Sequence, residues 1–166
     1  MHAEDAFARL PVPARRLAYR VAHRLLSAWS SMRRPRRAGV KCLLRDGERV
    51  LLIRHTYGRR DVWDLPGGGI RRGEEAARAA AREAREEVGV DADWRPLATL
   101  TFHDRGETTL HAFIADVEAP PLTLDPGEIA DARWAPASDP PRPLSPSTRA
   151  VLAELATAQP ASAGPD

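Results

Sequence analysis

The sequence is poor in several residue types that mark particular classes of protein. It contains one cysteine, Cys42, among 166 residues, which excludes an intrachain disulfide framework and a metal site built from several cysteines. No apolar run comes near the roughly 18 residues that a membrane span requires. The first residues include Glu4 and Asp5 and no apolar segment, so no cleaved signal peptide is expected. These absences predict a cytoplasmic protein.

Lysine is nearly absent, and the positive charge is unevenly distributed. The chain has 24 arginines and a single lysine, Lys41, so any argument for a catalytic lysine would rest on Lys41 alone. Residues 1–37 contain nine arginines and two acidic residues, whereas residues 38–166 contain 16 basic and 21 acidic residues. A basic arm therefore precedes an acidic body, and such an asymmetry can indicate anionic partners.

The basic arm, residues 1–37, contains a predicted amphipathic helix at about 14–32. It would pack on the main domain or on a second subunit of a homodimer, and peripheral contact with an anionic membrane surface is an alternative. Nucleic acid is disfavoured as a partner, because no basic surface interleaved with aromatic residues is recognised. The apolar face of this helix consists of Ala14, Leu17, Ala18, Val21, Leu25, Ala28, Trp29 and Met32.

Residues 38–158 predict a single α/β domain, and the small-residue tail at 159–166 is expected to be disordered. Turn residues, β-branched residues and helix-terminating signals divide this domain into strands and helices. Strands interleaved with two helices indicate an α/β sandwich. The predicted strands are 40–44, 50–53, 62–65, 95–102, 108–117 and 132–134, and the predicted helices are 74–88 and 147–158.

The helix at 74–88 is the most informative segment. At 100° per residue, its apolar positions form one stripe and three glutamates gather on a sector roughly opposite. Like charges three or four residues apart destabilise a helix, and negative charge near the C-terminal end opposes the helix dipole. A divalent cation would relieve both effects. The predicted stripe is Ala77, Ala81, Ala84 and Val88, and the glutamates are Glu83, Glu86 and Glu87.

From the residues alone, a second interpretation of this helix stays open. Arg78, Arg82 and Arg85 alternate with the glutamates, so the same face could be a solvated, salt-bridged surface with no metal.

The spacing in residues 68–90 resembles the Nudix box, the signature of the Nudix hydrolase superfamily. In that motif a glycine is followed at fixed intervals by a glutamate, an arginine, three further glutamates and a second glycine. Here these positions are filled by Gly68, Glu74, Arg82, Glu83, Glu86, Glu87 and Gly89. Ala84 is the one departure, since it is smaller than the usual aliphatic residue. The preceding segment from Trp63 to Gly69 is also similar to the family, and the resemblance covers about residues 40–140.

The resemblance implies an α/β/α sandwich around a mixed β-sheet, and it implies roles for the residues of the motif. Glu83, Glu86 and Glu87 would bind divalent metal, Mg²⁺ or alternatively Mn²⁺, with the backbone carbonyl of Gly68 as a further ligand. Glu74 and Arg82 would form a structural ion pair. Glu86 or Glu87 would also accept a proton from the attacking water.

Residues outside the motif supply further candidates. Glu128 lies where some members of the family carry a catalytic base, although a simple loop charge is an equal alternative. The loop after the second predicted strand could grip phosphate or ribose, and Trp63 could stack on a base or pack in the core. The loop candidates are Arg54, His55, Tyr57 and Arg60.

The resemblance implies a Mg²⁺-dependent hydrolase that cleaves a diphosphate bond in a nucleoside diphosphate linked to another group, such as a nucleoside triphosphate or a nucleotide sugar. No subfamily motif selects one substrate. The alternative is a non-catalytic Nudix-like domain that binds a nucleotide as a sensor or scaffold.

Overall fold

The computed structural model describes residues 11–15, 17–18, 37–103 and 107–158. Five of the six expected strands and both expected helices of the domain are present in the predicted order, with boundaries that differ by a few residues. The segment predicted as a strand at 62–65 instead forms isolated bridges, from Trp63 to Leu144 and from Asp64 to Ile53. The elements are β1 (Arg37–Asp46), β2 (Arg49–His55), α1 (Ala76–Val88), β3 (Arg95–Phe102), β4 (Thr108–Asp116), β5 (Ile129–Pro136) and α2 (Pro146–Ala158).

The five strands form one mixed sheet in the order β3-β4-β1-β2-β5. β1 lies in the centre, parallel to β4 and antiparallel to β2. The outer pairs, β2 with β5 and β3 with β4, are antiparallel. A register shift between Arg54 and His55 interrupts the pairing of β2 with β5, which is the signature of a β-bulge.

The two faces of the sheet pack against different helices, as a sandwich requires. Alternate residues of β1 show this directly. Val40 and Cys42 pack with alanines of α1, whereas Leu43 packs with Val151 and Leu155 of α2. Burying each such aliphatic side chain contributes roughly 1.5–3 kcal/mol. The predicted α/β/α sandwich with a mixed sheet is therefore confirmed.

Helix α1 begins two residues later than predicted and buries a different face. Glu75 is extended, with φ −74° and ψ 144°, and the helix ends at Gly89, whose φ of 73° is the left-handed conformation that glycine favours. Ala77 of the predicted stripe is exposed and Ala81 is half-buried. The buried residues are Ala79, Ala80, Ala84, Glu87 and Val88.

The placement of Glu87 opposite the buried face was therefore wrong. Alanine fills six of the 13 positions of α1, so the sequence distinguished no single apolar stripe, and contacts with the sheet set the rotation of the helix.

The described part of the basic arm contacts the domain through a charged side chain. Residues 12–15 and 17–18 are helical, and Arg15 Nη1 lies 3.1 Å from Asp125 Oδ1. Leu17, on the predicted apolar face, is 61% exposed. The remainder of the predicted helix at 14–32, and the tail at 159–166, lie outside the described residues.

Among the described residues, none of the helices combines the length and the apolar character that crossing a membrane would need.

Candidate active site

The glycine-rich loop before α1 runs against the central strand. Cys42 N donates to Pro66 O at 2.8 Å, and Val40 N donates to Gly68 O at 2.9 Å. Gly67 has a φ of +146°, and a Cβ at this position would lie 2.2 Å from Val40 O. A side chain is therefore excluded at Gly67 by both conformation and space. This close approach brings the loop backbone to the carboxylates of α1.

Glu87 is the most deeply buried carboxylate of this site. It is 1% exposed, and Gly67 N donates to its Oε2 at 2.8 Å, while its Oε1 is buried without a hydrogen-bond partner. Burial, followed by repulsion from Glu128, raises the pKa of Glu87 well above its usual value. The site therefore holds a carboxylate whose charge the protein itself stabilises poorly.

Two side chains from other elements face Glu87. Ligand atoms of His55, Glu87 and Glu128 all lie within 4.8 Å of one another, and we refer to these three residues as the Glu87 group. Tyr57 Oη donates to Glu128 Oε1 at 2.7 Å. His55 comes from the end of β2, Glu87 from α1 and Glu128 from the loop before β5, so the fold assembles the group from three separate segments.

The other box residues form a second arrangement, which we call the Arg82 cluster: Glu74, Arg82, Glu83 and Glu86. Arg82 donates to Glu74 through Nε at 2.8 Å and Nη2 at 2.9 Å, and through Nη1 to Glu83 at 2.6 Å and Glu86 at 3.2 Å. A forked guanidinium contact of this kind is suited to carboxylates. One arginine therefore contacts all three glutamates of this cluster.

Electrostatic effects within the Arg82 cluster follow from these contacts. The hydrogen bonds from Arg82, followed by that from Arg71 N, lower the pKa of Glu74 from 4.5 to about 2. Burial raises the pKa of Glu83, although Arg82 opposes this effect. The structural ion pair between Glu74 and Arg82 that the resemblance implied is present in the structure.

The three glutamates predicted to bind metal are thus in different environments. Glu87 belongs to the Glu87 group, whereas Glu83 and Glu86 contact Arg82. The Glu86 side chain is 49% exposed and that of Glu83 is 14% exposed. A Cβ at Gly68 would lie 2.6 Å from the Glu83 carboxylate, so the loop, Glu83 and Glu87 remain close enough to form one site.

The Gly68 carbonyl, expected as a further ligand, accepts the hydrogen bond from Val40 N. A carbonyl oxygen has two lone pairs, so this bond leaves one acceptor position.

The loop candidates for substrate binding occupy different positions. His55 and Tyr57 lie at the site, with ring centroids 4.8 Å apart, and Arg60 is exposed. Trp63 is 8% exposed, and the Arg54 guanidinium lies 4.8 Å from its ring centroid. This arrangement favours packing of Trp63 over stacking on a base.

Sequence reasoning missed a buried polar network beside the site. Lys41 Nζ lies 2.8 Å from Asp64 Oδ1, and Thr148 Oγ1 donates to the same oxygen at 2.6 Å. Burial acts to raise the pKa of Asp64, but Lys41 and Thr148 more than offset it and the pKa is lowered. The available signal was the lone lysine within an apolar strand, since a buried charge requires a partner.

A cavity of about 280 Å³ adjoins the Glu87 group. His55 and Tyr57 line one part of it, and Asp64 and Ser145, from the polar network and the start of α2, line another. A larger cavity of about 540 Å³ lies elsewhere, between the β1–β2 turn and α2, and holds none of the predicted site residues.

The residues of the site fit a bound divalent cation. Glu87, whose Oε1 is buried without a hydrogen-bond partner, lies close to a second carboxylate and an imidazole. Carboxylate oxygens are ligands for Mg²⁺ and Mn²⁺, and a cation would supply the charge that the protein does not.

Fold and site together define a mixed α/β domain with a candidate divalent-cation centre beside a glycine-rich loop. The family model for the NUDIX domain matches residues 35–155. This segment contains all five strands and the whole candidate site. The chain belongs to the Nudix family.

Curated relatives match the central part of the chain. NAD-capped RNA hydrolase NudC of Shigella dysenteriae serotype 1 (strain Sd197) is 30% identical over 91 residues, which cover 55% of this chain and 35% of that protein. A putative 8-oxo-dGTP diphosphatase of Bacillus subtilis (strain 168) is 31% identical over 94 residues, covering 55% of this chain and 60% of that protein. The match therefore spans about a third of the first relative and three fifths of the second.

Solved structures share the fold at low identity. A MutT NUDIX hydrolase from Burkholderia pseudomallei aligns with a TM-score of 0.68 at 24% identity, covering 73% of this chain and 98% of that one. The NUDIX domain of Shewanella oneidensis NrtR, in complex with ADP ribose, aligns with a TM-score of 0.66 at 20% identity, covering 75% and 88%. These likenesses show the fold.

Proposed function

We propose that this chain is a divalent-metal-dependent hydrolase that cleaves a diphosphate bond in a nucleoside diphosphate linked to another group. One observation carries the proposal: Glu87 is 1% exposed, and its Oε1 has no hydrogen-bond partner. A domain that needed only to be stable would gain by replacing this buried charge with an apolar residue. A bound cation would stabilise this charge and account for its presence.

The cation would be held by Glu87 and Glu128, with Glu83 and the Gly68 carbonyl nearby and Glu86 at the exposed edge. When bound, a divalent ion neutralises phosphate charge and lowers the pKa of coordinated water. We take Mg²⁺ as the expected ion and Mn²⁺ as the alternative, because both accept carboxylate oxygens.

The protein's own groups would complete the reaction. Water attacks one phosphorus, the bridging P–O bond breaks, and the proton of the water passes to a carboxylate. Glu86 and Glu128 are the two candidates for the proton acceptor. Glu128 is oriented by the Tyr57 hydroxyl at 2.7 Å, whereas Glu86 is half-exposed beside Arg82.

The substrate class is a small nucleotide derivative. NudC and the Bacillus protein are named for NAD-capped RNA and 8-oxo-dGTP, and the Shewanella domain was solved with ADP ribose; each of these contains a diphosphate linkage. The cavity of about 280 Å³ beside His55 could take part of such a molecule. We place the reaction in the cytoplasm, because Cys42 is free and buried and a reducing compartment keeps thiols reduced.

The second candidate function is binding without hydrolysis. The Shewanella NUDIX domain in complex with ADP ribose shows that a protein of this fold can hold a nucleotide derivative. The same cavity and carboxylates would then serve as a sensor site, with no turnover of the ligand.

The test is hydrolysis by the full chain of nucleoside triphosphates, measured as release of phosphate or pyrophosphate, and of nucleotide sugars and ADP ribose, measured as release of the nucleoside monophosphate. We expect release in Mg²⁺ or Mn²⁺, loss of release in EDTA, and a decrease of roughly 10–100-fold in Glu87→Gln. Glu118→Gln, which removes an exposed carboxylate, is the control. Turnover that persists in EDTA contradicts the metal requirement. Calorimetric binding of these ligands without any turnover would instead establish the sensor function.

A further inference from the structure

His55 lies where it can contact the same ion as two carboxylates. One of its ring nitrogens, one oxygen of Glu87 and one oxygen of Glu128 are mutually within 4.8 Å. Two ligands bound about 2.1 Å from one cation lie at most about 4.2 Å apart. Side-chain movements of less than about an ångström therefore bring the three donors onto a common ion.

A backbone irregularity contributes to this placement. The register of β2 against β5 changes between Arg54, which pairs with Asp131, and His55, which pairs with Ile129. Ala130 of β5 is the extra residue between these two pairs, and a bulge bends its strand and re-aims the side chains beside it. Immediately beyond, Thr56 N donates to Glu128 O at 2.8 Å, so the end of β2 and the Glu128 loop form one framework.

Tyr57 supports two members of the Glu87 group at once. Its ring lies 4.8 Å from the His55 ring, at an interplanar angle of 33°, and its hydroxyl donates to Glu128 Oε1 at 2.7 Å. Groups that orient ligands in this way are characteristic of metal sites, where they fix the direction of each donor.

An independent observation shows that a cation belongs at this point. The unpartnered Oε1 of Glu87 is on a side chain that is 1% exposed, and the same carboxylate faces Glu128 and His55. Lys41, a cation whose charge acts on the Glu87 carboxylate, is engaged by Asp64 at 2.8 Å and by Leu65 O at 3.0 Å.

We propose that an imidazole nitrogen of His55 is a direct ligand of the cation held by Glu87 and Glu128, so that this site prefers a first-row transition ion such as Mn²⁺ to Mg²⁺. This inference rests on the proposed function, since it concerns the same centre. Mg²⁺ prefers oxygen donors, whereas imidazole nitrogen is a ligand for transition ions. Glu128 then acts as a ligand, which leaves Glu86 as the proton acceptor.

The test is pulsed electron paramagnetic resonance of Mn²⁺ bound to the full chain. A directly bound imidazole gives a ¹⁴N modulation of the Mn²⁺ signal, which changes to a ¹⁵N modulation when the protein is labelled with ¹⁵N-histidine. We expect this modulation in the unmodified protein and its loss in His55→Gln. His111→Gln, which alters a histidine on β4 beside Thr99, is the matched control and keeps the modulation.

A competition experiment gives a second measurement. In His55→Gln, we expect the affinity for Mn²⁺ to fall by roughly tenfold or more relative to the affinity for Mg²⁺. His55→Asn, a second variant that removes the ring, must give the same loss.

The outcomes separate this inference from the proposed function. Bound Mn²⁺ without histidine modulation overturns the role of His55 and leaves metal-dependent hydrolysis standing. If the protein does not bind Mn²⁺ but hydrolyses substrate in Mg²⁺, the role of His55 is likewise overturned and metal-dependent hydrolysis stands. Absence of hydrolysis in either ion overturns the proposed function, whereas histidine modulation in that case still supports the metal centre.

Discussion

The Arg82 cluster and the Glu87 group share one helix but handle negative charge in opposite ways. In the cluster, Arg82 contacts Glu74, Glu83 and Glu86, so the chain supplies its own cation. In the group, Glu87 faces a second carboxylate and retains a buried oxygen without a partner. The comparison shows that the motif has two halves: glutamates that share an internal arginine, and a buried glutamate whose Oε1 has no hydrogen-bond partner.

Replacing Arg82 should have the largest effect on stability. Arg82→Met removes the shared partner of three carboxylates, and the side chains of Glu74 and Glu83 are only 15% and 14% exposed. We expect a loss of about 2–4 kcal/mol in the free energy of unfolding, measured by urea denaturation. Arg82→Lys should recover little of it, because an ammonium cannot reproduce the forked contact. Full stability in Arg82→Met would show that the cluster is not structural.

Replacing Glu87 should change stability in the opposite direction. In EDTA, Glu87→Gln keeps the shape of the side chain and an acceptor for Gly67 N, but it removes a buried charge. We expect a gain of about 1 kcal/mol in the free energy of unfolding. Added Mn²⁺ should raise the stability of the unmodified protein but not of the variant. Glu86→Gln, on the exposed edge, is the control, and its stability should change by less than about 0.5 kcal/mol.

A destabilised Glu87→Gln in EDTA would contradict this distinction between the two halves. It would mean that the Glu87 carboxylate is stabilised by the protein itself.

The smallest expected effect is a pH dependence that belongs to the Arg82 cluster. Because the pKa of Glu74 is lowered from 4.5 to about 2, its contribution to stability is full above pH 4.5 and is lost as the pH falls toward 2. The difference in unfolding free energy between the unmodified protein and Glu74→Gln should shrink over that range. Urea titrations at several acidic pH values measure it, with Glu75→Gln as the control. A constant difference would contradict the ion pair as its source.

The sequence allowed the fold class, the motif and the Glu74–Arg82 pair to be predicted, because each depends on spacing along the chain. The burial of Glu87 could not be predicted in this way. Alanine fills six of the 13 positions of α1 and is spread around the helix, so periodicity alone does not determine which face meets the sheet.

Contacts between distant segments could not be predicted from the sequence either. The pairing of Lys41 with Asp64 joins β1 to the segment before the glycine loop, and Arg15 with Asp125 joins the basic arm to a loop more than a hundred residues later. Glu128 and His55 were separate candidates, one as a base and one as a substrate contact. Their proximity depends on the β2–β5 register, which no local pattern specifies.

The register of β2 against β5 has a consequence for how this protein tolerates insertions and deletions. Successive side chains of a strand point to opposite faces, so removing a single residue from β2 reverses every side chain beyond the deletion. Such a change would turn His55 away from Glu87 while leaving every functional amino acid in the chain. The chemistry therefore depends on the number of residues in β2 as well as on their identity. When segments are exchanged between related proteins, the length of β2 should be preserved.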